Sequence, residues 1–227
     1  MQTEDFSQLF PLFNAVNPET VEWLLSVAVE HEYPGGRAVL MEDSWGNAVY
    51  FVVSGWVKVR RTSAEEASTL AILGRGDFFG EMAVLDESPR STDVVALSQV
   101  KLLSISAQRF IQTLFKDPQL HHRMLQLMVR RLRQTNIRFQ LRQQPPAVRL
   151  ANTLLSLGEN YGQPAGNGTE IFNIPLRDLA EVTGIGVEET TKIMEKLHSK
   201  GWIKIEPARQ TLHLINLKQL THLAGRV

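Results

Sequence analysis

The 227-residue chain contains no cysteine. Disulfides, thiolate-held iron–sulfur clusters and cysteine-ligated haem are therefore excluded, and a reducing, cytoplasmic setting is expected. No run of about 18 apolar residues occurs, so no transmembrane helix is expected. The N-terminus, Met1-Gln2-Thr3-Glu4-Asp5, is acidic and lacks the basic and apolar regions of a signal peptide. Histidine is sparse where a β-rich metal enzyme would need it. His31 is the only one between residues 31 and 106, and such a site takes several histidines with a carboxylate. His121 and His122 are neighbours on a helical stretch, point different ways and read as a solvated pair. No nucleophile–base pairing is visible, so neither a catalytic residue nor a metal site is expected. Trp45, Trp56, Trp202 and the Phe78-Phe79 pair read as core or edge residues.

Acidic residues are missing from one stretch. Residues 118–143 carry Arg123, Arg130, Arg131, Arg133, Arg138 and Arg142 and no Asp or Glu. The part before it has sixteen acids against nine bases, and the part after it nine bases against eight acids. The formal net charge of zero thus hides a basic segment in mid-chain. A nucleic-acid binder usually presents such a face, although a solvated basic helix is the plainer reading.

Residues 6–29 read as helical, with Asn17 as cap and Pro18 at the first helical position before the stripe Val21, Leu24, Leu25 and Ala28. From His31 to Ser106 short β-rich runs alternate with turn residues. The runs are Ala38–Met41, Val49–Val53, Trp56–Arg60, Leu70–Leu73, Val94–Leu97 and Val100–Ile105, a spacing that predicts a sandwich or barrel. Ser106 is placed to cap a short helix through Phe115, and Pro118 to open a long one. Leu125, Leu132 and Phe139 share a heptad position on it, followed three residues later by Met128, Thr135 and Arg142. That pattern predicts a coiled-coil seam of about three heptads, with a helix packed on its own domain as the alternative. Gln144-Pro145-Pro146 ends the helix and is expected to act as a stiff hinge. Beyond it come an expected helix over Val148–Leu157, a polar loop over Gly158–Gly168 and a strand over Glu170–Ile174. Two helices, Pro175–Val182 and Val187–Lys200, follow. A β-wing over Trp202–Ile205 and Thr211–Ile215 and a helix over Leu217–Leu223 complete the chain.

Two stretches carry chemistry. In Phe78–Thr92, Gly80 and Glu81 open a short apolar turn that Arg90 and Ser91 close. A cyclic phosphodiester needs such a loop: a guanidinium for its oxygens, a hydroxyl and backbone N–H groups beside it, a carboxylate for the ribose hydroxyl, and glycine for close approach. An ordinary ion pair between Arg and Glu is the alternative. The second stretch, Leu176–Gly184 followed by Val187–Leu197, has the small residue Ala180 at a helix crossing and Gly184 in the turn. Apolar Ile193 and Leu197 lie in the second helix, and the whole reads as a helix-turn-helix with a wing.

The first stretch resembles the phosphate-binding cassette of cyclic-nucleotide-binding domains. The order of β-roll, long helix, hinge and winged helix-turn-helix resembles, over nearly the whole chain, the family of the cyclic-AMP receptor protein and the FNR-type regulators. The resemblance implies an α+β fold with a β-roll (jelly roll) over 1–117, a dimerisation helix over 118–144 and a winged DNA-binding domain over 145–227. It implies a ligand site at Gly80, Glu81, Met82, Ala83, Arg90 and Ser91. Glu81 would meet the ribose hydroxyl, Arg90 and Ser91 the cyclic phosphate, and Thr135 and Asn136 the purine. DNA contacts would come from Val187, Glu188, Thr190, Thr191 and Lys192. The implied protein is a cytoplasmic homodimer, free of membrane, that binds duplex DNA in response to a cyclic nucleotide, foremost cyclic AMP. RNA polymerase or another regulator is a further implied partner. The chain departs from the pattern in three places. Val187 stands where the family's cyclic-AMP activator has an arginine, Thr190 where it has an apolar residue, and Asn136 where it has a smaller hydroxyl residue. FNR-type oxygen sensing needs the cysteines that are missing. The alternative is a sensor of a cyclic nucleotide or cyclic di-GMP that acts through a partner regulator, with weakened DNA binding.

Overall fold

The computed structural model describes residues 2–62 and 67–226, and its contacts divide the chain into units of residues 1–134 and 135–227. In the first unit, α1 (Thr3–Leu9) and a 3-10 turn at Pro11–Phe13 precede α2 (Pro18–Val27). The expected single helix over 6–29 is thus broken. Phe10 leaves the helical region, its φ and ψ being −107° and 108°, and Ala15 takes a positive φ of 65°. The break lets Phe6, Phe10 and Phe13 converge on Phe51, with ring centroids 4.7–5.9 Å apart. Asn17 caps α2 as its sequence predicts, its side chain accepting from the Glu19 N–H.

The strands are β1 (Val29–Tyr33), β2 (Ala38–Leu40), β3 (Ala48–Ser54), β4 (Val57–Thr62), β5 (Ala67–Leu73) and β6 (Phe78–Phe79). The short α3 (Glu81–Leu85) then comes before β7 (Asp93–Ala96) and β8 (Val100–Ser106). They form two antiparallel sheets, in the orders β1-β8-β3-β6 and β2-β7-β4-β5. Alternation sends each strand's residues to two environments. Val52, Phe79, Val100 and Leu102 meet Leu40, Val57, Val94 and Ala96 between the sheets. Val49, Phe51, Leu103 and Ile105 face the helices instead, and pack with Leu24, Phe110, Leu120 and Met124.

Ser106 holds the N-cap position of α4 (Ala107–Lys116), yet its side chain makes no capping bond. Asp117 caps α5 (Pro118–Leu141): its Oδ1 accepts from Gln119 N (2.9 Å) and Leu120 N (3.1 Å), and its Oδ2 from Thr20 Oγ1 (2.9 Å). Burial alone would raise this carboxyl's pKa. The hydrogen bonds from Leu120, Thr20 and Gln119 outweigh it and hold the pKa below its ordinary value. A depressed carboxylate contributes stability that is present above the unfolded pKa of about 3.9 and lost as pH falls through the lower folded value. Asp117→Ala should therefore cost about 1–2 kcal/mol at neutral pH. Thermal unfolding followed from pH 7 to 3 should show a shallower acid decline in the variant. Identical acid limbs would remove Asp117 as a source of that pH dependence.

In the second unit, α6 (Pro146–Tyr161), β9 (Gln163–Ala165), β10 (Gly168–Phe172), α7 (Leu176–Thr183) and α8 (Val187–Ser199) lead to the wing strands β11 (Ile203–Glu206) and β12 (Thr211–Leu214) and to α9 (Leu217–Leu223). Two expectations change here. Pro146 is the first residue of α6 rather than part of a linker, a place where its missing N–H costs nothing. The polar stretch 158–168 is the end of α6 and a hairpin, with Gly166 at its turn in the left-handed region, φ 58°. The sheet order is β11-β12-β10-β9; α6 packs on β10 and α8 on β11, α7 and α9 pack on neighbouring helices, and Leu150, Leu154, Leu179, Met194, Leu197 and Leu220 are buried.

Candidate functional site

Gly80, Glu81, Met82, Ala83, Arg90 and Ser91 come together on α3 and the loop that follows it. Gly80 has φ 83°, and a Cβ there would lie 2.6 Å from Arg90 Nη1, so only glycine fits beneath the guanidinium. Arg90 is 4% exposed. Its Nη2 donates to Ala48 O (2.7 Å) and its Nη1 to Gly80 O. Its Nε–H is buried and has no partner among the described residues. Burial lowers the guanidinium's pKa, opposed by Tyr50 and Glu81. The group still remains a cation at any ordinary pH. A desolvated cation held by carbonyls, with an N–H to spare, is suited to an anion carrying several acceptor oxygens. Met82 and Ser91 are exposed, while Ala83 is buried with Gly46 against it.

The Glu81 residue is 3% exposed, and its carboxylate pairs with Arg131. Arg131 also donates to Phe78 O, lies 3.5 Å from Asp77 Oδ1 and sits 4.2 Å above the Phe78 ring. In the sequence Arg131 is one of a solvated row of arginines, and that expectation is corrected here: its head group is turned into the cassette. Arg123 also leaves the row, donating from Nε to Asn14 O (3.0 Å). The signal that distinguishes Arg131 is its register. It lies seven residues after Met124, on the side of α5 that begins buried at Leu120 and Met124. Leu127 and Met128 are half-buried against the same core. Leu125, Val129, Leu132 and Phe139 are exposed in the single chain. Thr135 and Asn136 also lie on exposed turns of α5, in the second unit.

The helix-turn-helix is built as its spacing predicts. Ala180 is buried where α7 meets its neighbours, and Gly184 ends α7 at φ 66°. Arg149 on α6 donates to Thr183 O (3.3 Å) and Gly184 O (2.9 Å), a clamp on the turn that no sequence signal announced. On α8, Val187, Glu188 and Lys192 are exposed and Thr191 partly so. Thr190 differs: it is 0% exposed and its hydroxyl donates to Gly186 O at 3.0 Å. A DNA contact for Thr190 is withdrawn, because the position faces the domain core. Ile193 is half-buried, and Met194 and Leu197 take the core positions of this helix. The outer face of α8 also presents Glu189, Glu195 and Lys196.

Known proteins fit this geometry. Residues 30–117 match the cyclic nucleotide-binding domain and residues 148–223 the Crp-like helix-turn-helix domain. The chain is 32% identical over 199 residues to the cyclic AMP receptor protein of Thermus thermophilus, covering 87% of this chain and 89% of that one. This chain belongs to the CRP family of transcription regulators. The catabolite activator protein structure from the same species aligns with a TM-score of 0.52 at 30% identity, covering 96% of this chain and all of that one. FixK2 from Bradyrhizobium japonicum aligns at 0.76 and 20% identity, over 87% and 97% of the two chains, a likeness of fold. The family is one of transcription regulators rather than enzymes. Among the described residues no helix is long and apolar enough to cross a membrane.

Proposed function

We propose that this CRP-family member is a cyclic-nucleotide-responsive regulator that binds duplex DNA as a homodimer, with cyclic AMP as its ligand. The observation that carries the reading is Arg90, a buried cation whose Nε–H lacks a partner among the described residues, in the loop where a cyclic phosphate needs it. Ser91 supplies a hydroxyl beside it. A carboxylate accepts about four hydrogen bonds, so the pairing of Glu81 with Arg131 leaves capacity for a ribose hydroxyl. Thr135 and Asn136 close over the base in this reading. The domains are taken as a ligand-binding roll over 1–117, a dimer helix over 118–144 and a DNA-binding domain over 145–227.

Ligand contact at Thr135 and Asn136 shifts the paired α5 helices, and the recognition helices α8 then reach successive major grooves about 34 Å apart. Glu188 accepts from a cytosine amino group and Lys192 donates to guanine, while Val187 and Thr191 make apolar or phosphate contacts. With no arginine on α8 and Glu188-Glu189 at its start, binding is expected to be weaker than in a member that reads guanine bidentately.

Calorimetry with cyclic AMP, cyclic GMP and cyclic di-GMP, followed by gel shifts on a palindromic duplex at about 50 mM salt, tests the reading. Cyclic AMP should bind with the highest affinity and should strengthen the shift. Lys192→Ala should then weaken the liganded complex by about 1–3 kcal/mol. Preference for cyclic di-GMP, no shift above non-specific level and a co-purifying regulator would together replace this reading with that of a sensor acting through a partner.

A further inference from the structure

We propose that Asp93, together with Arg60, is a positioning residue for the phosphate-binding Arg90, acting through the loop at Met41–Gly46. The proposal rests on the ligand reading above. Arg90 is held not only by its head group but by its backbone. Its N–H donates to Ser44 O (2.8 Å) and its carbonyl accepts from Asp43 N (2.8 Å). Both partners belong to one tight loop. Asp43 sits at φ 62° and the Ser44 hydroxyl closes on Met41 O (2.5 Å). The Trp45 backbone bridges Pro89, the residue before Arg90, and Gly46 is packed so closely on Ala83 that a Cβ there would lie 2.8 Å from the Ala83 Cβ. A loop with a positive-φ aspartate is not held in place by its own backbone preference.

What holds it is the carboxylate of Asp93, three residues beyond Arg90. Asp93 Oδ1 accepts from Glu42 N at 2.8 Å. Asp93 Oδ2 accepts from Arg60 Nη2 (2.8 Å) and Nε (3.2 Å) and from Thr62 Oγ1 (3.2 Å). Glu42 in turn accepts from Thr62 N (3.1 Å) and lies 3.7 Å from Arg61. Arg60 is the direct cross-strand partner of Asp93, which is 8% exposed. The two guanidinium N–H groups converge on Oδ2 and anchor that oxygen, which leaves Oδ1 to hold the loop at Glu42 N. Strand β4, the loop and the arginine that would meet phosphate are thereby tied together. The backbone of Arg90 cannot move away from the ligand without breaking this set. A half-buried charge pair of this kind is not required for the stability of two packed sheets, since apolar replacements often serve as well. Its position behind Arg90 is what calls for it.

Asp93→Asn is the informative change. It keeps the shape and one acceptor for Glu42 N, but it turns an amide towards the Arg60 guanidinium, donor against donor. Arg60→Gln removes the other half of the pair and provides an independent variant. Each should weaken cyclic AMP binding by about threefold to tenfold, less than loss of Arg90 itself. In an Arg90→Ala background neither should cause a further loss, because residues acting through one another are non-additive. A general loss of packing would instead add in full. Amide hydrogen exchange on the ligand-free protein should accelerate at Glu42, Asp43 and Arg90 and stay unchanged in β8. Wild-type affinity with unchanged exchange, or fully additive losses, would overturn the proposal. Should wild type bind no cyclic nucleotide, the ligand reading falls. The exchange rates then decide alone: faster exchange at Asp43 and Arg90 upholds the tie, and unchanged rates overturn it.

Discussion

Arg90→Ala should weaken cyclic AMP binding by between about tenfold and more than a hundredfold, corresponding to the roughly 1.5–3 kcal/mol of a charge-assisted hydrogen bond. The expectation follows from the state of Arg90 without ligand. Its guanidinium is already desolvated and already fixed by Gly80 O and Ala48 O, so binding spends little on dehydrating or ordering it. The Nε–H lacks a partner among the described residues, and in the proposed complex the anion supplies one. Removing the side chain also removes a buried cation, so the ligand-free fold should not lose stability in proportion. Arg90→Lys should fail to restore full affinity, because an ammonium lacks the planar fork that serves Gly80, Ala48 and a phosphate at once. Calorimetry on the three proteins reads the affinities, and thermal unfolding controls for the fold. Wild-type affinity in Arg90→Ala would sink the ligand site as drawn.

Phe139→Asp should give monomers. Leu125, Leu132 and Phe139 recur every seven residues on α5 and are 56%, 61% and 69% exposed in the single chain, with Val129 beside them. A stripe of large apolar side chains on a helix marks a surface that is covered in use. A twofold axis along it sets each residue near its own copy. One substitution therefore places two carboxylates in an apolar contact, and burying unpaired charge costs several kcal/mol. The dimer dissociation constant should rise by more than about a hundredfold, and cyclic-AMP-dependent DNA shifts should disappear with the dimer. Sedimentation velocity measures the first effect directly. A dimer that survives the substitution would move the interface off this helix.

Local chemistry made much of the chain readable. Asn17-Pro18 is a helix start in any surroundings, because the cap and the fixed φ act within three residues. The same holds for Gly184 at the turn of the helix-turn-helix, for the wing strands β11 and β12 and for the last helix, found at Leu217–Leu223 as expected. The cassette was legible for a different reason: glycine, carboxylate, arginine and hydroxyl in that order also suit an ordinary ion pair, and it was the resemblance over the whole chain that singled out a cyclic-nucleotide-binding domain, which residues 30–117 match. Strand β1 was not readable. Val-Glu-His-Glu-Tyr alternates too little apolar surface to announce a strand, and it exists because its backbone pairs with β8, residues 29–33 against 100–104. The hairpin strand β9 is equally silent, since Gln163-Pro164-Ala165 forms only against β10.

The order of elements, the family, and the loop and helix that carry the chemistry were all legible along the chain, because capping, turn formation and periodicity operate between near neighbours. What each side chain does there was settled in three dimensions. Six arginines on one acid-free stretch are alike in sequence, yet only the turn of α5 that follows Leu120 and Met124 brings one of them, Arg131, over Phe78 and onto Glu81, fifty residues upstream. Thr190 is a polar residue on a recognition helix until the rotation of α8 against its core turns it inward. Asp93 is one more acid until cross-strand register sets Arg60 opposite it. Burial and pairing depend on which distant segments are packed together, and that is settled by the fold as a whole rather than by any window of the chain.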